Sequence, residues 1–168
     1  MGFDLSGKNP KIHVSVDQFR ILSKYDKIDR FDEKHSAMDE AGESDQYWNE
    51  FNEFQDSNPG MYFRNNCWWW RPLWDFVCDH CADFLTETDI INGQYNNGGL
   101  INKVKSKRIA TRLKKLLRSE DVKDYALAYE DWLGKQDDDS FQKNYPFSEE
   151  NVRRFAKFCE ESGGFWIC

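Results

Sequence analysis

Arg64 and Arg71 bracket three consecutive tryptophans, Trp68, Trp69 and Trp70, and Trp74 follows one helical turn later. Guanidinium groups stack beside indole faces and stay charged at any ordinary pH, so such a cluster suits a phosphate, a carboxylate or a planar base. Consecutive side chains point in different directions on a helix and on a strand, so three adjacent tryptophans cannot all face one core. At least one ring is expected at a surface, an interface or a pocket wall. Alternatively, the rings form an aromatic core whose arginines cap helix ends or pair with Asp75 or Asp79. Asn96-Asn97-Gly98-Gly99 precedes a helical segment, where free backbone N–H groups and the helix dipole favour an anion. The bland alternative is a helix-start turn capped by Asn96 or Asn97. No Walker lysine follows these glycines and no strand-Gly-x-Gly-x-x-Gly pattern is present, which speaks against a nucleotide fold. Arg64, Asn65, Trp68, Trp70, Arg71, Asn96, Asn97 and Gly98 together form the expected ligand-binding set.

A second chemistry is suggested by residues 103–118. They hold Lys103, Lys105, Lys107, Arg108, Arg112, Lys114, Lys115 and Arg118 and no acid. Lys103, Lys107, Arg112 and Lys115 represent the basic face, which suits a nucleic-acid backbone or an acidic partner. The run would equally pair with the acidic 26–56 stretch, or form a solvated helix face whose later cations suit the helix C-terminus. Cys78-Asp79-His80-Cys81, with Cys67 upstream, supplies only part of a zinc site, and zinc usually takes four ligands. On a helix Cys81 belongs to the apolar face, so buried free thiols are expected, with no metal and no cofactor. His13, His35 and His80 have no Ser or Cys neighbour in a nucleophile pattern, and Glu149-Glu150 read as helix-start residues. No catalytic residue is assigned. Were the chain an enzyme on a nucleotide or phosphorylated substrate, Asp75, Asp79 and His80 would be the groups nearest to the arginines.

The elements that position these residues read mainly as helices. Ile12, Val14 and Val16 alternate with polar residues as a short strand would. Tyr47, Trp48, Phe51 and Phe54 have helical spacing inside a polar, mostly acidic stretch, 17–60, which reads as a partly mobile insertion closed by the Asn58-Pro59-Gly60 turn. Pro72 suits the first turn of a helix over 72–86, where Leu73, Phe76, Val77, Cys81, Phe84 and Leu85 recur at three and four. Residues 92–99 read as a loop. Helices are expected over about 100–118, from Val122 to Gly134, and after Ser148, an N-cap with Glu149 and Glu150 in the first turn. Gly163-Gly164 would stop the last helix. Phe165-Trp166-Ile167-Cys168 would then pair, as a strand, with the N-terminal extended segment. The expected fold is mainly α (α+β): one domain over 1–168, with four to six helices and a small sheet formed by the two termini.

Bulk properties narrow the classes further. Aromatic residues make up 16% of the 168, too many for a disordered chain despite 32% charged residues. The net charge of −7 argues against generic affinity for nucleic acid and is modest for a DNA mimic. Five cysteines are an odd number, and no basic-then-apolar leader occupies the first ten residues, so reduced thiols and a cytoplasmic location are expected. No apolar run approaches the roughly 20 residues that span a bilayer.

Several short stretches also carry a resemblance. Gly7-Lys8-Asn9-Pro10, Tyr62-Phe63-Arg64-Asn65, Trp68-Trp69-Trp70-Arg71-Pro72-Leu73-Trp74, the Asn-Gly loop at 96–99, Pro146-Phe147, Glu150-Asn151-Val152 and the ending from Gly163 to Cys168 resemble a family of small bacteriophage and prophage proteins. In those relatives the Gly-x-Asn-Pro start lies close to the Tyr-Phe-Arg block, so 11–56 looks like an insertion. The family brings no established activity. It implies a viral accessory role in the host cytoplasm. The leading expectation is therefore a protein that binds a small anionic, nucleotide-like ligand or a host protein through the Trp/Arg site, in a counter-defence role. The alternatives are an enzyme on a nucleotide or phosphorylated substrate, and a nucleic-acid binder acting through 103–118.

Overall fold

The computed structural model describes residues 2–168. Its elements run β1 (Gly2–Gly7), α1 (Arg20–Asp26), α2 (Phe31–Ala41), α3 (Ser44–Ser57), β2 (Tyr62–Asn66), α4 (Cys67–Cys81), α5 (Glu87–Gln94), β3 (Gly99–Ile101), α6 (Lys103–Arg118), α7 (Asp121–Gly134), α8 (Glu149–Glu161) and β4 (Phe165–Ile167). Short 3-10 turns occupy Val16–Gln18 and Phe141–Asn144. The chain divides into two compact units, one made of the residues up to Lys11 with Gly60–Cys168, the other of Ile12–Pro59. The mainly helical class with a small antiparallel sheet is as expected. The eight α-helices of the described residues exceed the four to six expected, because the polar stretch before the tryptophan block folds into three of its own. No helix among the described residues is long and apolar enough to cross a membrane.

In the larger unit, alternation builds the sheet. Phe3 and Leu5 of β1, Phe63 of β2, Ile101 of β3, and Phe165 and Ile167 of β4 are all buried. Asp4, Arg64 and Trp166 occupy the intervening positions. The strand order is β2-β1-β4-β3, antiparallel throughout, with Leu5 opposite both Phe63 and Ile167. The two terminal strands therefore pair, as expected, but the sheet is not formed by the termini alone, because the internal strands β2 and β3 extend it on either edge. The expected strand at 12–16 does not form: Ile12 is exposed and Val16 opens a 3-10 turn. The chain just before it already finds its backbone partners elsewhere, with Lys8, Asn9 and Lys11 donating to the carbonyls of Gly164, Ser162 and Glu161.

Helices α6 and α8 pack on each other and complete the core with α4. Val152, Phe155, Ala156 and Cys159 of α8 meet Ile109, Ala110 and Leu113 of α6, all buried. Each large apolar side chain removed from water contributes roughly 1.5–3 kcal/mol. Local chemistry sets the ends. The Ser148 hydroxyl accepts from Asn151 N at α8, and the Asn102 side chain accepts from Lys105 N at α6. Gly163 and Gly164 follow α8 at φ 65° and 94°, a left-handed run that a Cβ would strain. Helix α4 differs from expectation. It begins at Cys67, capped by Asn66, so Pro72 lies beyond its first turn and forgoes a bond to the Trp68 carbonyl. Pro72 is buried, so its ring adds apolar contact to the core in place of that helix bond. Residues 92–94, expected as loop, end α5, whose start is fixed by a Thr86–Asp89 capping box.

The smaller unit has its own core of Phe19, Ile21, Leu22, Tyr25, Met38 and Tyr47. The Glu50 carboxylate of α3 accepts from Ile21 N and Leu22 N at the start of α1, doing from another helix what a cap does locally. Buried Asn58 accepts from His13 N and Val14 N and donates to the carbonyls of Val14 and Phe54, which ties the two ends of the unit together. Ile12–Pro59 carries twelve acids against five lysines and arginines. The rest of the chain balances eighteen against eighteen, so the whole net charge of −7 resides in this unit.

Candidate functional site

The helical twist of α4 sends its tryptophans to different places. Trp70 and Trp74 are each 1% exposed. Their rings stack at 5.4 Å and 13°. Phe3 covers Trp70 at 5.3 Å and Phe155 meets it edge-on at 5.6 Å. Trp70 Nε1 donates to the Gly93 carbonyl at 2.6 Å and Trp74 Nε1 to the Ile90 carbonyl at 3.1 Å, satisfying both indole donors. Gly93 packs so closely on Trp74 that a Cβ there would overlap the ring. Trp68 is half-buried, edgewise to Phe141 at 5.2 Å and Tyr145 at 5.0 Å. Trp69 is the ring of the three that reaches solvent.

The other members of the expected ligand set are dispersed. Arg64 lies on the outer face of β2 and pairs with Asp4 at 3.5 Å. Asn65 points the other way, because adjacent strand residues alternate, and its buried amide donates to Asn151 Oδ1 at 3.0 Å. Asn151 in turn donates to the Trp69 carbonyl, so the pair fastens β2, α8 and α4. Asn96 donates to the Gly2 carbonyl. Asn97 N and Gly98 N donate to the carbonyls of Tyr95 and Ile167. With those N–H groups satisfied inside the fold, the loop offers no anion nest. Arg71 alone lines a cleft, of about 330 Å³, with Trp74, Asp75, Gly93, Gln94 and Tyr95. Desolvation raises the Asp75 carboxyl above its usual range, Asp79 adds to this and Arg71 opposes it.

Cys78, Cys81, Cys159 and His80 are placed for packing, whereas Cys168 is exposed. Burial pushes the Cys78 and Cys81 thiols up to about 12, and Cys159 well above its usual value. These groups stay protonated and unreactive near neutrality. His80 lies over Phe76 at 4.1 Å, with Nδ1 2.8 Å from the Phe76 carbonyl. Among the described residues no three His, Cys, Asp or Glu side chains converge as a metal ion would require.

Helix α6 does bring cations together. Its apolar stripe faces α8, so the remaining positions fan out on both flanks. On one flank, Lys107, Arg108, Thr111, Arg112 and Lys115 line a groove of about 270 Å³ floored by Phe84. The guanidinium carbon of Arg108 sits 4.1 Å from the Phe84 ring centre and that of Arg112 5.8 Å. Asp83 holds both arginines, at 3.5 Å and 3.1 Å, and its carboxyl is kept below the usual range chiefly by the Arg112 hydrogen bond. On the other flank, Lys114, Leu117 and Arg118 join Arg153, Ala156 and Lys157 of α8 around a groove of about 410 Å³. Lys114 pairs with Glu160, Arg153 with Glu149 and Glu150, and Lys157 with Glu161. Lys107, Lys115 and Arg118 have no acidic partner among the described residues.

Of the expected basic face, Lys107, Arg112 and Lys115 share the first groove. Lys103 opens the helix and lines neither groove. Lys105 turns inward to a close ion pair with buried Asp89 of α5. Sequence reasoning missed the α8 half, for which Arg153 and Lys157 at i,i+4 were a readable signal. Phe84 carried no signal beyond its place in an apolar stripe. Comparison of the chain with models of protein families, with curated proteins and with solved structures finds no match.

Proposed function

We propose that the chain is a nucleic-acid-binding accessory protein that docks a sugar-phosphate backbone along α6 and the adjoining face of α8. The single observation that carries this is the groove lined by Lys107, Arg108, Arg112 and Lys115 over Phe84, with Lys107, Lys115 and the nearby Arg118 left without acidic partners among the described residues. At 1.5 Å per residue, the stretch from Lys107 to Arg118 spans about 17 Å, which suits a run of phosphates better than a single nucleotide. Outside Ile12–Pro59 the charges balance, and of the eight cations on α6, Lys105, Arg108, Arg112 and Lys114 pair with acids while Lys107, Lys115 and Arg118 do not, among the described residues. The resemblance to bacteriophage and prophage proteins fits an accessory role on nucleic acid in a host cytoplasm.

The test is fluorescence anisotropy of a labelled oligonucleotide across a salt series. The full-length protein is expected to bind with a steep loss of affinity as salt rises. The triple change Lys107→Glu, Lys115→Glu and Arg118→Glu is expected to abolish most binding and flatten the salt slope by about 3. Binding that ignores both salt and the triple change would sink the reading. A second reading, capture of a small anionic ligand, is favoured by Arg71 in its 330 Å³ cleft. Calorimetry with nucleotides would show heats that vanish in Arg71→Ala.

A further inference from the structure

We infer that the interface is built for a single strand, with an unpaired base stacking on the guanidinium of Arg108. The inference rests on the nucleic-acid reading above and adds the class of strand. Phe84 is half-buried against the core, so its ring is a fixed floor. Arg108 covers that floor at 4.1 Å, and Asp83 ties it from the side, leaving 51% of its side chain exposed. A planar cation set over an aromatic ring with half of its side chain in solvent can serve as a stacking platform, since guanidinium planes accept bases as aromatic rings do. Lys107 and Lys115 line the same groove, where they can take the phosphates on either side of the stacked base. A duplex keeps its bases paired and stacked inside, so it can use the lysines and not the platform. A single strand uses both.

The experiment compares one labelled single-stranded oligodeoxynucleotide with its duplex of equal length, at equal ionic strength, on the full-length protein. The single strand is expected to bind roughly tenfold tighter, the increment of one stacked base. Arg108→Lys keeps the charge and removes the plane. It is expected to bring the ratio of single-strand to duplex affinity down toward one. Phe84→Leu, checked for unchanged thermal unfolding, is expected to act in the same direction. Equal affinity for both forms, or a ratio that Arg108→Lys does not move, would overturn the inference while leaving backbone binding in place. Failure to bind either form would overturn both readings.

Discussion

Helix α4 holds the rarest residues of the chain and helix α6 a commonplace run of lysines and arginines, yet their roles are the reverse of what rarity suggests. In α4, Trp70 and Trp74 are almost wholly buried and their N–H groups bond inside the protein. In α6, Lys107, Lys115 and Arg118 are exposed and have no acidic partner among the described residues. The difference follows from desolvation. An indole gains by leaving water once its one donor is paired, whereas an ammonium or guanidinium leaves water only for a partner that replaces its hydration. An unusual cluster of aromatic residues thus points first to a core, and a partnerless cluster of charges to a surface with work to do.

Truncation should separate the two helices most sharply. Trp70→Ala removes two ring stacks and the Gly93 hydrogen bond, and is expected to destabilise the fold by about 3–5 kcal/mol in chemical denaturation. Trp69→Ala should stay within about 1 kcal/mol of the parent. A Trp70→Ala protein as stable as the parent would collapse the contrast. Next in size, the Lys107/Lys115/Arg118 reversal should weaken oligonucleotide binding by about 100-fold or more and leave the melting temperature nearly unchanged. If it unfolds the protein instead, α6 belongs with α4.

Lys105 is the cation of α6 that behaves like an α4 residue, and it sharpens the rule. Burial alone would raise the Asp89 carboxyl, but the Lys105 ammonium and the Thr86 donors reverse this and hold it below its usual range. A carboxyl depressed on folding adds stability above its unfolded value, near 3.9, and loses it as pH falls through the folded one. Asp89→Asn is therefore expected to lower stability at pH 7 by about 2 kcal/mol and to lose part of the acid-side decline, as followed by unfolding from pH 6 to pH 2. The smallest effect concerns the thiols. With Cys78 and Cys81 raised to about 12, a thiol reagent at pH 8 should modify neither in the native protein on a timescale that labels unfolded chains completely. Fast native labelling at Cys78, which is only partly buried, would contradict the raised value of its thiol.

Much of the helical frame was legible because its signals are local. Ser148 with Glu149 and Glu150, the i,i+3/i,i+4 stripe through Phe155 and Cys159, and Gly163-Gly164 state where α8 starts, faces and stops. The pairing of β1 with β4 was legible from two apolar ends. Helices α1–α3 were harder to see, because a few hydrophobes such as Ile21, Met38 and Tyr47 build their core inside an acidic stretch. Strands as short as Gly99–Ile101 carry no pattern, since three residues barely alternate. The expected ligand set failed to gather for a non-local reason. Whether Asn65 meets a ligand or Asn151, 86 positions away, depends on a contact that no spacing announces. The basic face was legible as charge, while its aromatic floor at Phe84 depended on how α4's trailing turn meets α6.

One consequence lies at the neck of the smaller unit. Its ends are laced together by Asn58, and on the other side the backbone of Lys11 and the close approach of Gly60 both fasten to Glu161. Strands β1 and β2 are registered neighbours, Ser6 opposite Tyr62, on either side of that neck. A chain that leaves the sheet after Gly7 and rejoins it at Tyr62 thus has its ends held as close as those of a hairpin, and because closure entropy grows only logarithmically with length, the many residues between cost little more to close than a short turn would.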